Sequence, residues 1–301
     1  DRTISSLREG GMVIYDPDTV QTTGIPNAKF VPLRLTALTQ GISSSGLGKN
    51  VVALGALGNL FDIEKPVLEK LIQDRFQLKG SEMIEKNLRL LTAGYKEGEN
   101  TDWDRRFHLQ SAEGSKPTYM MLSGNEAVAL GTIAAGCRFV AGYPITPATP
   151  IFETLTKLMP KVGGKALQLE DEIASISAVI GASFGGAKAM TPTSGPGLQL
   201  MGEQLNLAAM LELPIVIVNV QRGGPSTGLP TKTEQSDLKF AIYGTAGESP
   251  RCIIAPPTVE ECFYQTIRAF NIAERFQMPV IVLTARGAPV LDVVAPGQQR
   301  I

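Results

Sequence analysis

The chain has 301 residues, with 28 Lys and Arg against 29 Asp and Glu, so its formal net charge is −1. Apolar residues make up 43% of the chain and charged residues 19%, which is typical of a folded globular protein and excludes an intrinsically disordered one. Because the charges balance, the sequence predicts no nucleic-acid partner and no polybasic attachment to a membrane. No uncharged apolar run is long enough to span a bilayer, so we predict no membrane partner.

The cysteine and histidine content limits the chemistry that the chain can perform. Its cysteines are Cys137, Cys252 and Cys262, and none of them forms the CxxC spacing of a zinc or iron–sulfur site. We therefore predict that this chain alone binds no metal. A single histidine, His108, argues against histidine-dependent triads and multi-histidine metal sites. The sparse, odd number of cysteines favours a reducing compartment, and we expect the protein to be cytoplasmic.

The first third of the chain has the pattern of a small α/β domain, which we place at residues 1–98. Short apolar runs bounded by turn residues predict strands at Met12–Tyr15 and Phe30–Leu35. Three predicted helices follow, at Val51–Phe61, Pro66–Phe76 and Ser81–Tyr95. Residues 99–117 are polar and lack periodicity, so we interpret them as a linker.

From Thr118 onward, predicted strands and helices alternate. The strands are Met120–Leu122, Phe139–Ala141, Ala166–Leu169, Ala189–Thr191, Ile215–Val220 (apolar except for Asn219), Cys252–Ala255 and Val280–Leu283. The helices are Glu126–Ala135, Pro150–Leu158, Asp171–Gly186, Leu198–Leu211, Gln235–Tyr243 and Val259–Phe276. This alternation predicts an α/β fold with a doubly wound, mostly parallel sheet that helices cover on both faces. We place this domain at residues 118–290 and a tail at 291–301.

In such a sheet, ligands bind at the carboxyl ends of the strands, and three predicted loops there carry candidate groups. Tyr143–Pro147 is either a rigid turn or a preset loop that presents the Thr146 hydroxyl. Thr193–Gly197 is a strand-to-helix turn that could cradle an anion, although one glycine-rich turn is a weak signal. Arg222 follows the most apolar strand, where its guanidinium group could bind a carboxylate or phosphate with two hydrogen bonds. The alternative is that Arg222 forms an ion pair at the surface.

Three acidic residues, Glu170-Asp171-Glu172, open another predicted helix. Asp171 suits the N-cap, where a carboxylate accepts hydrogen bonds from free backbone N–H groups. Glu172 instead begins an apolar stripe that would face the interior, where a carboxylate needs a partner or a shifted pKa. On the pattern alone, helix capping by all of these acids remains the simpler interpretation. The stripe continues through Ile176, Val179, Ile180 and Phe184.

Four sequence motifs occur in chain order, each at the end of a predicted strand: YPITPAT, LEDE, TPTSGPG and QRGGPSTGLPTKTEQSDL. Together they resemble the alpha subunit of 2-oxoacid:ferredoxin oxidoreductases, in particular the 2-oxoglutarate type with a fused gamma domain. The resemblance spans about Thr118 to Leu283. More weakly, Met12–Glu97, especially NVVALGALGNL, resembles the later part of the gamma domain.

That family uses thiamine diphosphate, and the resemblance implies that this chain binds the pyrimidine half of it. Glu172 would be the catalytic residue, which hydrogen-bonds the pyrimidine N1′ and so activates the cofactor. Arg222 would clamp the substrate carboxylate, with hydroxyl donors from Thr146 and Thr231. The cofactor-binding residues implied by the resemblance are Tyr143, Pro144, Ile145 and Glu172.

The implied reaction is oxidative decarboxylation of a 2-oxoacid, with 2-oxoglutarate favoured, to acyl-CoA and carbon dioxide with reduction of ferredoxin. The chain lacks the GDG and Asn-Asn motifs of the family's diphosphate site. The resemblance therefore assigns the diphosphate site, its Mg²⁺ and an iron–sulfur cluster to a separate beta subunit, without which this chain would be inactive.

Two alternatives stay open at this point: a subunit of a non-oxidative thiamine-dependent 2-oxoacid decarboxylase, and a non-catalytic assembly subunit. We also expect the natural polypeptide to extend beyond both ends of this chain. At one end, the glycine-rich start of a gamma domain is absent, and at the other, residues 284–301 do not clearly follow the family pattern.

Overall fold

A computed structural model describes residues 7, 11–21, 29–44, 46–103, 107–109, 120–285 and 293–294. The chain divides into two compact units, Asp1–Lys116 and Pro117–Ile301. Within the described ranges, no helix combines the length and the apolar character that crossing a membrane requires.

The first unit contains a two-stranded parallel sheet followed by helices. Strand β1 (Met12–Tyr15) pairs with β2 (Lys29–Pro32). The helices are α1 (Leu35–Gln40), α2 (Lys49–Leu60), α3 (Lys65–Phe76) and α4 (Ser81–Asn100), with a 3-10 turn at Gln77–Lys79. The apolar spacing had indicated that this helix ends at Tyr95. In the structure, helix α4 continues to Asn100.

Helices α2 and α4 approach each other closely because glycines face the crossing. A Cβ atom on Gly94 would lie 1.9 Å from the Val52 carbonyl oxygen, and one on Gly55 would lie 2.3 Å from the Leu91 oxygen. Around this crossing lies an apolar core that includes Leu68, Ile72, Leu90 and Leu91. Backbone-to-backbone packing of this kind leaves no room for a side chain at either glycine.

The start of the predicted linker belongs to the first unit. Residues 99 and 100 end helix α4, and Trp103 is buried, its Nε1 donating a hydrogen bond to the Gly98 oxygen at 2.7 Å. The Phe107 ring stacks on Phe61 with a centroid separation of 5.2 Å. A single aromatic ring in a polar segment has no periodicity, yet the burial of one such as Trp103 is strongly favourable. Residues 104–106 and 110–117 of that linker lie outside the described residues.

The second unit is built on a six-stranded sheet with the order β5-β4-β6-β7-β9-β8, in which all pairings are parallel. The predicted doubly wound parallel sheet is therefore confirmed. Its strands are β4 (Phe139–Gly142), β5 (Lys165–Gln168), β6 (Ala189–Thr193), β7 (Ile215–Gln221), β8 (Cys252–Ile254) and β9 (Val280–Ala285).

Helices separate these strands along the chain: α5 (Gly124–Ala134), α6 (Thr149–Leu158), α7 (Glu172–Phe184), α8 (Gly195–Leu200), α9 (Gly202–Met210), α10 (Leu238–Tyr243) and α11 (Val259–Phe276). The helix predicted at Leu198–Leu211 is thus two helices, and Gly202, a residue of low helix propensity, begins the second. A 3-10 turn at Met159–Val162 follows α6. Val293–Val294 (β10), in the predicted tail, pair antiparallel with Met120–Met121 (β3).

Alternating side chains of the central strands fill two separate cores. Val216, Val218 and Val220 belong to one core, which also contains residues of α5, α6 and α11. Ile215 and Ile217 belong to the other core, together with residues of α7, α8 and α9. The sheet is therefore buried on both faces, and its polar groups can reach a ligand only at the strand ends.

Candidate functional site

The sheet has a topological switch point between β4 and β6. From β4 the chain passes outward to the edge strand β5 and then returns to β6 on the other side of β4. Strands β4 and β6 pair only through Phe139 with Ala189 and Val140 with Met190. Because the pairing stops there, the carboxyl ends of the two strands form the crevice in which open α/β sheets bind their ligands.

Glu172 lies at this crevice, at the first position of α7. Capping is performed by its neighbour Asp171, whose Oδ1 accepts a hydrogen bond from the Ala174 N–H at 2.7 Å. Glu172 itself is 6% exposed, while Ile176 and Val179 are fully buried. The prediction that Glu172 continues a buried stripe is confirmed. The simpler interpretation, in which all three acids cap the helix, is wrong, because within the described residues only Asp171 accepts a cap hydrogen bond from the helix backbone. The stripe ends earlier than predicted, since Phe184, at the last turn of α7, is 75% exposed.

A glycine after β6 makes room for the Glu172 side chain. A Cβ atom on Gly197 would lie 2.7 Å from both Cγ and Oε1 of Glu172, and 2.2 Å from Oγ1 of Thr193. In the described part of the chain, no hydrogen-bond donor reaches the Glu172 carboxylate. The buried carboxylate therefore keeps acceptor capacity for a ligand, and the TPTSGPG motif provides the space beside it.

Arg222 is the first residue after β7 and is only 5% exposed. Its Nη1 donates a hydrogen bond to the Thr146 carbonyl oxygen at 2.7 Å, whereas its Nε has no partner. Across the described residues, no carboxylate forms an ion pair with it. The surface ion pair considered as an alternative is therefore wrong, because the guanidinium is buried. An unpaired buried cation is suited to bind an anion.

The structure brings only some of the predicted substrate and cofactor residues into direct contact. Thr146 meets Arg222 through its backbone oxygen. Thr231 is exposed and hydrogen-bonds to neither of them, although the loop folds back on itself, with the Gly223 N–H donating to the Lys232 oxygen at 2.9 Å. The remaining residues lie in the loop after β4, where Tyr143 and Pro144 are exposed and Ile145 is half-buried.

Sequence analysis missed a buried polar pair next to Arg222. Asp237 is 6% exposed, and its Oδ2 accepts a hydrogen bond from Nδ2 of the fully buried Asn219 at 2.8 Å. The signal was present, because Asn219 is the polar exception in an apolar strand. A cavity of about 290 Å³ adjoins Asp237, and its lining also includes Gly195, Arg222 and Glu234.

Two family models match the chain. The family described as pyruvate flavodoxin/ferredoxin oxidoreductase, thiamine diP-bdg (thiamine diphosphate-binding) matches residues 130–287. The chain belongs to this family. A second model, described as pyruvate ferredoxin/flavodoxin oxidoreductase, matches residues 1–97. The second unit thus contains the thiamine diphosphate-binding domain of an oxidoreductase family, as the four motifs predicted.

Curated relatives agree with this assignment. The 2-oxoglutarate synthase subunit KorA of Archaeoglobus fulgidus is 55% identical over 164 residues, which are 54% of this chain and 47% of the relative. The 2-oxoglutarate oxidoreductase subunit KorA of Mycobacterium tuberculosis is 38% identical over 310 residues, covering 93% of this chain and 47% of the relative. The chain therefore spans about half the length of the curated relatives it matches.

A solved structure also resembles the whole chain. It is a 2-oxoglutarate:ferredoxin oxidoreductase from Magnetococcus marinus with 2-oxoglutarate, coenzyme A and succinyl-CoA bound. The two share 39% sequence identity with a TM-score of 0.83, over 99% of this chain and 52% of that chain. The resemblance to the alpha subunit of the 2-oxoglutarate type is confirmed.

Proposed function

We propose that this chain is the pyrimidine-binding part of the alpha subunit of a 2-oxoacid:ferredoxin oxidoreductase. The assembled enzyme converts a 2-oxoacid, with 2-oxoglutarate favoured, and coenzyme A to acyl-CoA and carbon dioxide, and reduces ferredoxin. One observation carries the proposal. Glu172 and Arg222 are buried charges of opposite sign at the carboxyl ends of the strands, and neither forms an ion pair within the described residues.

The Glu172 carboxylate fits the pyrimidine half of thiamine diphosphate. When bound, thiamine diphosphate supplies the electron sink for decarboxylation of the 2-oxoacid. Glu172 would hold a proton at the pyrimidine N1′, and its burial strengthens such a hydrogen bond because the local dielectric is low. Gly197 keeps the approach to the carboxylate open, and Tyr143, Pro144 and Ile145 would border the ring.

Arg222 fits the carboxylate of a 2-oxoacid. The hydrogen bond from its Nη1 to the Thr146 oxygen orients the guanidinium, and its Nε remains free to donate. A guanidinium group binds a carboxylate firmly, because two parallel N–H groups can donate to its two oxygens at once. The hydroxyl groups of Thr146 and Thr231 would add donors to the same carboxylate.

The rest of the active site is proposed to lie on a beta subunit. The chain lacks the GDG and Asn-Asn motifs of the family's diphosphate and Mg²⁺ site. The described residues also contain no group of three His, Cys, Asp or Glu that could hold a metal ion. We assign the diphosphate site, Mg²⁺ and an iron–sulfur cluster to that subunit, with ferredoxin as the electron acceptor. We propose that residues 1–98 form a partial gamma-like domain and that residues 118–290 form the pyrimidine-binding domain, with residues 99–117 joining the two. The proposed compartment is the cytoplasm.

Reconstitution tests the proposal. The chain, in its natural length, is co-expressed with the neighbouring thiamine-binding subunit, and dye reduction is assayed with 2-oxoglutarate and coenzyme A, with pyruvate alongside. We expect activity that requires both subunits and thiamine diphosphate, and that is higher with 2-oxoglutarate. Carbon dioxide release without dye reduction would instead indicate a non-oxidative decarboxylase. A folded complex that carries cofactor and clusters but is silent in both assays would indicate an assembly subunit.

A further inference from the structure

A second buried carboxylate lies beside Arg222 and has no role in the function proposed above. Asp237 immediately precedes α10, is 6% exposed, and accepts the hydrogen bond from Asn219. No basic side chain forms an ion pair with it in the described ranges. Burying a carboxylate without a counter-ion lowers stability, so its presence here suggests a role other than stabilising the fold.

Asp237 and its neighbour Ser236 together connect the two ends of the loop that begins with Arg222. The Ser236 hydroxyl donates to the Arg222 carbonyl oxygen at 2.9 Å and also lies 3.4 Å from Oδ1 of Asp237. The Asp237 N–H is 3.4 Å from Oε1 of Gln221, the last residue of β7. The residue pair that ends the loop is thus held against the residue pair that begins it.

The carboxylate is also fixed from its other side. A Cβ atom on Gly195 would lie 3.1 Å from Oδ1 and 3.3 Å from Oδ2 of Asp237, so the carboxylate packs against the backbone that follows β6. Asn219, in the central strand β7, donates the hydrogen bond described above to Oδ2 of the same carboxylate. The Asp237 carboxylate thus contacts β7, the end of the loop and the backbone of Gly195.

We propose that Asp237 is a positioning residue for Arg222. Through Asn219 and Ser236 it holds the backbone at the start of the loop, so that the Arg222 guanidinium keeps its contact with Thr146 and directs its remaining N–H groups to the substrate carboxylate. This inference deepens the proposed function and rests on it. In this role Asp237 acts through Arg222, and the proposal assigns it no contact of its own with substrate or cofactor.

The first test compares variants of the reconstituted complex. Asp237→Ala is expected to raise KM for 2-oxoglutarate about tenfold or more, with kcat changed by less than about threefold, because binding and not chemistry is weakened. Asp237→Asn should restore most of the affinity, since its amide oxygen can still accept from Asn219. Glu248→Ala, which removes an exposed carboxylate of the same unit, is the matched control. An unchanged KM in Asp237→Ala overturns the proposal.

A double-mutant cycle then asks whether Asp237 acts through Arg222. In the Arg222→Ala background, Asp237→Ala should change kcat/KM by less than about twofold, because the residue that it positions is already missing. Additive losses would show that Asp237 acts independently and would contradict the proposal. If Asp237→Ala does not fold, Ser236→Ala, which removes only the hydroxyl that holds the Arg222 oxygen, is tested in the same cycle.

A third measurement does not depend on activity. In Asp237→Ala, the amides of Gly223, Leu229 and Lys232, which are hydrogen-bonded within the loop, should exchange with solvent about tenfold faster than in the wild type. Unchanged exchange overturns the positioning role. If the wild-type complex shows no turnover, but loop exchange is still faster in Asp237→Ala than in the wild type, only the proposed function is contradicted.

Discussion

The two units of the chain treat their buried polar groups differently. In the first unit, Asn87 donates to the Met83 oxygen, Thr39 to the Leu35 oxygen, and Asp16 accepts from the Thr36 N–H. In the second unit, several buried polar atoms have no partner. Among the described residues, every such atom belongs to this unit: Thr191 Oγ1, Ser194 Oγ, Gln204 Oε1, Asn206 Oδ1, Asn219 Oδ1, Arg222 Nε, Ser249 Oγ, Arg251 Nη1 and Thr284 Oγ1.

Only part of this difference concerns the proposed site, because Gln204, Asn206, Ser249 and Arg251 lie away from the carboxyl ends of the strands. A buried polar atom that only supports the fold is normally satisfied, because an unmade hydrogen bond costs about 1–3 kcal/mol. Many of the unpartnered atoms lie along the central strands β6, β7 and β9 or directly after them. We infer that the buried polar groups of the first unit serve packing, and that those at the strand ends of the second unit serve ligand binding.

The largest effect is expected at Glu172. Glu172→Gln keeps the shape of the side chain but removes the charge that would hold a proton at the cofactor, so turnover of the reconstituted enzyme should fall about 100-fold or more. Stability should not fall, because a buried unpaired carboxylate is replaced by a neutral amide. Turnover and the thermal unfolding midpoint are measured together. Full activity, or a large loss of stability, would contradict the comparison between the units.

Arg222 should show the next largest effect. Arg222→Ala removes the carboxylate clamp and should raise KM for 2-oxoglutarate about 10- to 100-fold, because hydrogen bonds to charged groups contribute about 1.5–3 kcal/mol each. Arg222→Lys keeps the charge but not the fork and should recover only part of the affinity. Steady-state kinetics check both variants. A loss of thiamine diphosphate binding with unchanged KM would mean that Arg222 serves the cofactor instead.

A glycine substitution tests the packing of the first unit. Gly94→Ala would force a methyl group against the Val52 carbonyl oxygen, and should destabilise this unit by about 1–3 kcal/mol. Trp103, the single tryptophan, is buried in the same unit and reports its unfolding by fluorescence.

Gly181→Ala is the matched control for that substitution. Gly181 lies within α7, and a methyl group there would meet open space, since no atom is within 4 Å of the ideal Cβ position. Alanine there should stabilise the helix by up to about 1 kcal/mol. Because Gly181 lies in the second unit, both variants are also unfolded under far-ultraviolet circular dichroism, which follows the helices of the two units. Equal destabilisation by both substitutions would show that the close crossing of α2 and α4 does not make Gly94 more sensitive than an ordinary helical glycine.

The smallest effect concerns alkaline pH. Burial raises the pKa of the Cys137 thiol to about 12. Above about pH 9 the thiol ionises in the unfolded chain but stays protonated in the folded one, so the free energy of unfolding falls as pH rises. Cys137→Ala should make the loss between about pH 8.5 and 10 smaller by about 1–2 kcal/mol. Amide exchange of β4 and β7 measures it, and an identical pH dependence in both proteins would contradict the account.

Sequence patterns predicted the sheet and its cores because the periodic spacing of apolar residues can be recognised within a short segment of the chain. Alternation of strands and helices, and the buried stripe that starts at Glu172, are visible in the spacing of apolar residues. Trp103 was missed because a single buried ring has no period. Asp237 was missed because its burial depends on Asn219 and Gly195, which are distant in sequence. Whether Arg222 has an ion pair likewise depends on neighbours that only the folded chain brings together.

The most direct test of the central claim is amide exchange of the assembled enzyme with and without thiamine diphosphate. If the unpaired groups of the second unit form half of its site, the cofactor should increase protection around Glu172 and in residues 193–199, and leave the crossing of α2 and α4 unchanged. Protection that appears in that crossing, or no change around Glu172 in a complex that binds the cofactor, would contradict the assignment of the site.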